Sequence, residues 1–171
     1  MGKQFHASFI IRWVEPSDVE SWTDLAREVA ILFGFPGMPG DPDFLQYMTK
    51  KISQHEALIA IDPVSNQVYG VLGFSRRNNR ISWFAVSEKY RRQGVGSRLL
   101  HRALEYLDLA KDLTVTTFAD FAAEGHAARQ IYRCFGFVET IPHFIDENGL
   151  SRSIWTLPAN SKRIGKDTGT P

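Results

Sequence analysis

Two hydrophobic periods alternate along the chain. Val19, Trp22, Leu25, Ala26, Val29, Ala30 and Phe33 recur at the spacing of one helix face. They predict a helix running to about Phe33, with Ser17 as N-cap and Glu20 three residues on. Residues 9–13 read as a strand before it, broken at Glu15 and Pro16. Residues 34–42 carry too much Gly and Pro for either regular state and read as an apolar loop. Phe44, Tyr47, Met48 and Ile52 then mark a second helix over residues 43–53. Residues 57–62, 68–74 and 81–86 are strands, separated by turn chemistry at 62–66 and 77–80. Val95, Leu99, Leu100, Ala103, Leu104 and Leu107 form the apolar face of a third helix. Residues 113–117 are β-branched and extended. A fourth helix carries Ala128 and Tyr132, and strands 137–145 and 150–157 flank Asn148-Gly149, a hairpin signal. The order β-α-α-β-β-β-α-β-α-β-β predicts an α/β (α+β) domain with a mixed sheet.

The strand at 81–86 leads into Arg91-x-x-Gly94-x-Gly96 at the mouth of the third helix. That arrangement suits a pyrophosphate. Glycines let a ligand approach the backbone, and unpaired N–H groups and the dipole of a helix start attract anions. Arg91 and Arg92 add full charges able to grip phosphate oxygens in pairs. A dinucleotide fingerprint is excluded, because Leu99 stands where a third small residue is needed. Thr114, Val115, Thr116 and Thr117 also fill the region where an acidic ribose ligand would lie. No Gly-Lys-Ser/Thr exists for a Walker A loop. The plain alternative is a glycine-rich turn with a solvated basic face.

The loop resembles the acetyl-CoA pyrophosphate loop of the GCN5-related N-acetyltransferase (GNAT) family. A second motif follows in the right order. Ala128, Tyr132, Gly136 and Phe137 match the family's Asn-x-x-Ala-x-x-x-Tyr-x-x-x-Gly-Phe helix, with Gly125 in place of its Asn. The resemblance spans residues 17–157 and is sharpest over 81–137. It implies the single-domain acyl-CoA N-acyltransferase fold, in which the strands on either side of the loop helix splay apart around the acyl-CoA arm. It implies that Phe84, Ala85 and Val86 offer backbone groups to the pantetheine. Arg91, Arg92, Gln93, Gly94, Val95, Gly96 and Ser97 would hold the pyrophosphate, and Ala128 would line the cofactor. It also implies catalytic roles for the Val86 N–H, facing the thioester oxygen, and for the Tyr132 hydroxyl, protonating the leaving thiolate. On helical periodicity alone Tyr132 reads as a core aromatic, since Ala128, Ile131 and Phe135 share its stripe, and it is the resemblance that gives it the catalytic role.

Acetyl transfer to an amine also requires that the amine lose a proton, as a free alkylamine has a pKa near 10. Some family members place a Glu on the strand before the loop; counting back from Arg91, that position is Arg80. Ser82, Trp83, Phe84 and Ala85 supply no carboxylate either. Asp120, Glu124, His126 or a chain of waters remain as candidates. Cys134 reads as a small packed residue among Tyr132, Phe135 and Phe137. The histidines are scattered without metal-ligand spacing, so no metal is expected. Phe35, Met38, Asp41, Asp43, Phe44 and Tyr47 cluster in sequence and would suit a cationic amine with an apolar body. Asp41 and Asp43 read equally as helix-start residues.

Composition narrows the rest. The chain has 171 residues, 43% of them hydrophobic, enough for one domain over residues 1–157 with a polar, mobile tail over 158–171. A net charge of +1 leaves no basic field for nucleic acid. One cysteine fits a reducing compartment. The start lacks the apolar run of a signal peptide, and His6 breaks a myristoylation motif. No stretch is apolar enough for a membrane span. The expectation is a cytoplasmic enzyme that moves an acetyl group from acetyl-CoA to a primary amine of a small molecule, peptide or protein. Its partners would be that co-substrate and acceptor, with a homodimer as an option, and neither nucleic acid nor membrane. The alternative is a non-catalytic acyl-CoA-binding module that regulates a partner protein.

Overall fold

A computed structural model describes residues 8–119 and 125–161. Its strands form one seven-stranded sheet in the order β1-β2-β3-β4-β5-β7-β6. They are β1 (Ile10–Trp13), β2 (Ala57–Ile61), β3 (Val68–Ser75), β4 (Arg80–Val86), β5 (Leu113–Phe118), β6 (Val138–Ile145) and β7 (Ser151–Leu157). Neighbours are antiparallel except β4 and β5, which are parallel. The helices are α1 (Val19–Val29), α2 (Pro42–Ser53), α3 (Val95–Leu104) and α4 (His126–Cys134). The element order is the one expected.

Helices cover both faces, so β2 and β3 are buried along their whole length and read as near-continuous apolar runs. On one face α1 and α2 bury Trp22, Leu25, Phe44 and Met48 against Val71 and Trp83. On the other, Leu99, Leu100 and Ala103 of α3 and Tyr132 of α4 close over Leu72, Ile81, Val115 and Trp155. At roughly 25 cal/mol per Å² of buried apolar surface, these two cores are the main stabilising term.

Three local expectations change. The first helix is not opened by Ser17. Pro16–Asp18 forms a single 3₁₀ turn, and Asp18 stands at the N-cap of α1. The Asp18 carboxylate accepts from the Glu15 N–H at 2.7 Å and from both terminal nitrogens of Arg12. That carboxylate makes no cap bond to α1; by holding the Glu15 N–H it closes the 3₁₀ turn in which Ser17 lies, one residue ahead of the cap. The same helix stops at Val29, not Phe33; residues 30–34 continue as turns, and Arg152 reaches across to donate to the Phe33 carbonyl at 3.2 Å. Beyond β7 the chain stays attached: the Ala159 N–H donates to Asp112 and the Asn160 N–H to the Leu109 carbonyl, at 2.9 and 2.8 Å. The rest of the expected tail, residues 162–171, lies outside the described residues.

Candidate active site

β4 and β5 pair only at their starts, Arg80 with Thr114 and Ile81 with Val115. Past that point β4 stays with β3 as far as Val86, and β5 stays with β7 as far as Phe118. A gap therefore opens in the middle of the sheet. A β-bulge lies where it begins: Gly73 pairs with Trp83 and Phe74 with Ile81, leaving Ser82 as the extra residue.

Backbone direction decides what lines the gap. The Ser87 N–H donates to the Tyr69 carbonyl at 2.9 Å. Antiparallel alternation then gives Ala85 the bonds to β3 and turns the N–H and C=O of Phe84 and Val86 toward the gap. Of the three residues expected to offer backbone groups there, Ala85 is thus turned away. Its carbonyl lies against Gly70 of β3, and its methyl is buried under α1 and α2. The Val86 carbonyl accepts from Arg91 Nε at 3.0 Å, which leaves the Val86 N–H as the free group at the strand end.

The loop after β4 turns around an open space. Tyr90 anchors it by stacking on Tyr69, ring centres 3.7 Å apart. Arg92 and Gly94 both have left-handed backbone, with φ of 60° and 80°. Such turns direct successive N–H groups to one side, where charge on a ligand collects them. A Cβ built on Gly94 would meet nothing within 4 Å, so the space before the α3 N-terminus is open. Gly96 is the opposite case. A Cβ there would lie 3.0 Å from Ile131 Cδ1 and 3.4 Å from Phe84 Cζ, so its lack of a side chain lets α3 close on α4 and β4. Arg92, Gln93 and Ser97 are exposed around the opening, Val95 is buried beneath it, and Gln93 donates back to the Lys89 carbonyl at 3.0 Å. Exposed donors around an open space fit a pyrophosphate.

α4 forms the opposite wall. Ala128 and Ile131 pack on the core beside Phe84 and Val86. Tyr132 is buried, its ring 6.4 Å from that of Phe84 and 5.4 Å from that of Phe137. Burial pushes its phenol pKa above the ordinary value, so the group is protonated at neutral pH. Sequence reasoning missed Arg129, which is only 1% exposed and sits one turn before Tyr132. Its Nη1 donates to the carbonyls of Phe118 and Ala119 at 3.1 and 2.8 Å, tying the end of β5 to α4. This explains the departure at Gly125: a Cβ there would lie 2.5 Å from Arg129 Nη1 and 2.7 Å from Phe118 Cβ. The visible signal was the pairing of an odd glycine with an arginine four residues on.

The remaining candidates separate. His126 is exposed on the first turn of α4, and Asp120 and Glu124 lie outside the described residues. Cys134 is exposed rather than packed, because it lies two residues past Tyr132 on the outer side of the helix. Asp41 accepts from the Asp43 N–H at 3.2 Å as the N-cap of α2, while Met38 and Phe44 are core residues. The six side chains that cluster in sequence there do not form one wall. Tyr47 instead points at the bulge, its Oη 2.6 Å from Ser82 Oγ. Among the described residues no group of three or more His, Cys, Asp or Glu side chains could hold a metal ion, and no helix is long and apolar enough to cross a membrane.

Comparison with known proteins bears on this arrangement. Residues 42–152 match the acetyltransferase (GNAT) domain family. No match was found among curated proteins. Among solved structures, Ard1 from Thermoplasma volcanium is 21% identical, with a TM-score of 0.67 over 86% of this chain and 95% of that one. A GNAT acetyltransferase from Bacillus cereus is 16% identical, with a TM-score of 0.63 over 87% and 96%. The NatC complex, solved with a Gag peptide and CoA, contains a chain 18% identical, with a TM-score of 0.65 over 88% and 98%. The solved structures share the fold, the family match covers the gap, the loop and α4 together, and the chain belongs to the GNAT acetyltransferase family.

Proposed function

We propose that this chain is an N-acetyltransferase that moves the acetyl group of acetyl-CoA to a primary amine of a small molecule or a peptide. The carrying observation is the gap between β4 and β5, edged by free backbone groups of Phe84 and Val86 and ending at the Arg91–Gly96 loop. A thioester arm fits such a slot by adding a strand-like edge, as extended peptides do on open sheets. CoA in the NatC structure supports the donor class.

Each protein group has a task on this reading. The α3 start and the arginines of the loop hold the pyrophosphate, and Phe84 and Val86 align the arm. The Val86 N–H faces the carbonyl oxygen that gathers charge as the amine attacks. The N–C bond forms, the C–S bond breaks, and the Tyr132 hydroxyl gives its proton to the departing sulfur. The proton lost by the amine passes through water and restores the phenol.

Thermal unfolding with CoA and acetyl-CoA tests the donor site, and thiol release with an amine panel tests turnover. Ligand at a hundred times its dissociation constant stabilises the fold by about 2.7 kcal/mol, a shift of roughly 5–10 °C at this size. A folded sample that shifts with neither form would sink the proposal. Binding without turnover on any amine would instead favour an acyl-CoA-sensing module.

A further inference from the structure

An open cavity of about 480 Å³ lies on the α2 side of the sheet, where β4 leaves β5. Ser82 belongs to both: it lines the cavity and is the first β4 residue beyond the β4–β5 pairing. The wall carries four cations, Lys50, Lys51, Arg77 and Arg80, and a single carboxylate, Glu56. Lys51 is already paired, donating to Glu56 at 2.8 Å and to the Phe74 carbonyl. The other three have no ion-pair partner among the described residues. Arg80 is the informative one. Its Nε is buried without a hydrogen-bond partner, although an arginine nitrogen out of reach of water normally finds an acceptor. The Tyr47 hydroxyl, 2.6 Å from Ser82 Oγ, caps the Ser82 end of the same wall.

We propose that this cavity seats a carboxylate, and that the acceptor is an amine whose own molecule carries one. This rests on the transfer reading above. An arginine fork grips a carboxylate through paired charge-assisted bonds, and a partly buried guanidinium gains most from it. The same wall bears on the missing base. Like charges disfavour an ammonium, so an amine drawn in by its carboxylate meets a field that lowers its pKa and releases its proton to water. An arginine on this wall thus bears on both the choice of acceptor and the way it is made neutral. A simple polyamine or other purely cationic acceptor is repelled.

The test uses acceptor pairs that differ only in carboxylate against carboxamide: β-alanine and its amide, γ-aminobutyrate and its amide, and Glu-led and Gln-led peptide amides. Thiol release from acetyl-CoA is followed with the wild type, Arg80→Gln and Arg80→Lys. Intrinsic reactivity favours the amides, whose amines are less basic, so the expected preference is stringent. The carboxylate member should be better by about tenfold or more in kcat/KM. Arg80→Gln should collapse that ratio by raising the acceptor KM, Arg80→Lys should restore part of it, and CoA affinity should stay put. Thermal shifts with N-acetyl-β-alanine and its amide, in the presence of CoA, read the same preference without turnover. Equal use of both members, equal shifts, or a preference for cationic amines would overturn the carboxylate site while leaving the transfer reading intact. A folded protein that fails to bind CoA overturns the transfer reading instead.

Discussion

Arg91 donates through Nε to the carbonyl oxygen of Val86 at 3.0 Å, joining the proposed phosphate loop to the end of the proposed pantetheine strand. The bond fixes the guanidinium at the base of the loop and pins the strand end whose N–H is the proposed oxyanion donor. Arg91→Ala therefore removes two things at once. CoA affinity should fall by roughly ten- to a hundredfold, the equivalent of one charge-assisted contact of about 1.5–3 kcal/mol. Arg92→Ala, at an exposed site with no such bond, should have a smaller effect. Titration calorimetry separates the two; equal losses would show that Val86 gains nothing from Arg91.

Gly94 tests the loop independently. Its φ of 80° favours glycine, and its missing side chain faces open space. Replacing it with Val should strain the turn by about 1–2 kcal/mol and fill the position a phosphate would take. CoA binding should be lost while circular dichroism remains that of a folded protein. Retained binding would remove the loop from the phosphate site.

Tyr132 is both a core aromatic and the proposed acid. Tyr132→Phe keeps the ring against Phe84 and Phe137, so stability and CoA affinity should hardly change. Turnover should fall by about 10²- to 10⁴-fold if the hydroxyl protonates the sulfur. Unchanged single-turnover rates would leave Tyr132 with packing alone.

What the sequence made legible followed from periodicity and short motifs. Element order, the glycine loop and the Tyr132 helix are local patterns, each written within about a dozen residues. What it hid depends on pairing across the fold. Ala85 looks equivalent to Phe84 and Val86 until the ladder to β3 shows which way each carbonyl points. Ser82 looks like an ordinary strand residue, yet the register shift makes it a bulge beside Tyr47. Beyond Gly125, Arg129 carries no local sign of burial, and its bonds to the carbonyls of Phe118 and Ala119 come from the end of a strand ten residues away. Arg80 reads as a missing base, whereas the cavity around it makes it a candidate anion ligand.

Gly125 offers a stability test of that hidden packing. Restoring the family's Asn adds a side chain where a Cβ already meets Arg129 and Phe118. The backbone there is ordinary, φ −87°, so the penalty is steric alone. Gly125→Asn should destabilise by about 1–3 kcal/mol, as overpacking does. Gly125→Asn combined with Arg129→Ala should lose less than the sum, because the clash and the arginine disappear together. Additive losses in urea unfolding would mean that the two residues do not compete for the same space.

Acid stability draws on the carboxylates held below their ordinary pKa, among them three in ion pairs shielded from solvent. Burial works against ionisation of Asp18, Glu56 and Asp146. It is outweighed by hydrogen bonds from Arg12, Lys51 and Arg152 respectively, and by backbone N–H groups. A carboxyl that binds its proton less readily when folded stabilises the fold above its unfolded pKa and loses that contribution as pH falls through the folded one. Unfolding free energy should therefore be insensitive to these groups from about pH 5 to 8, and should fall progressively below about pH 4. Asp18→Asn should flatten part of that acid limb, since one proton-linked group is gone. It should also lower stability at pH 7 by roughly 1.5–3 kcal/mol, the scale of a charge-assisted bond. Urea midpoints between pH 2.5 and 8 decide it. An acid limb as steep in the variant as in the wild type would show that the Arg12–Asp18 pair is not linked to folding.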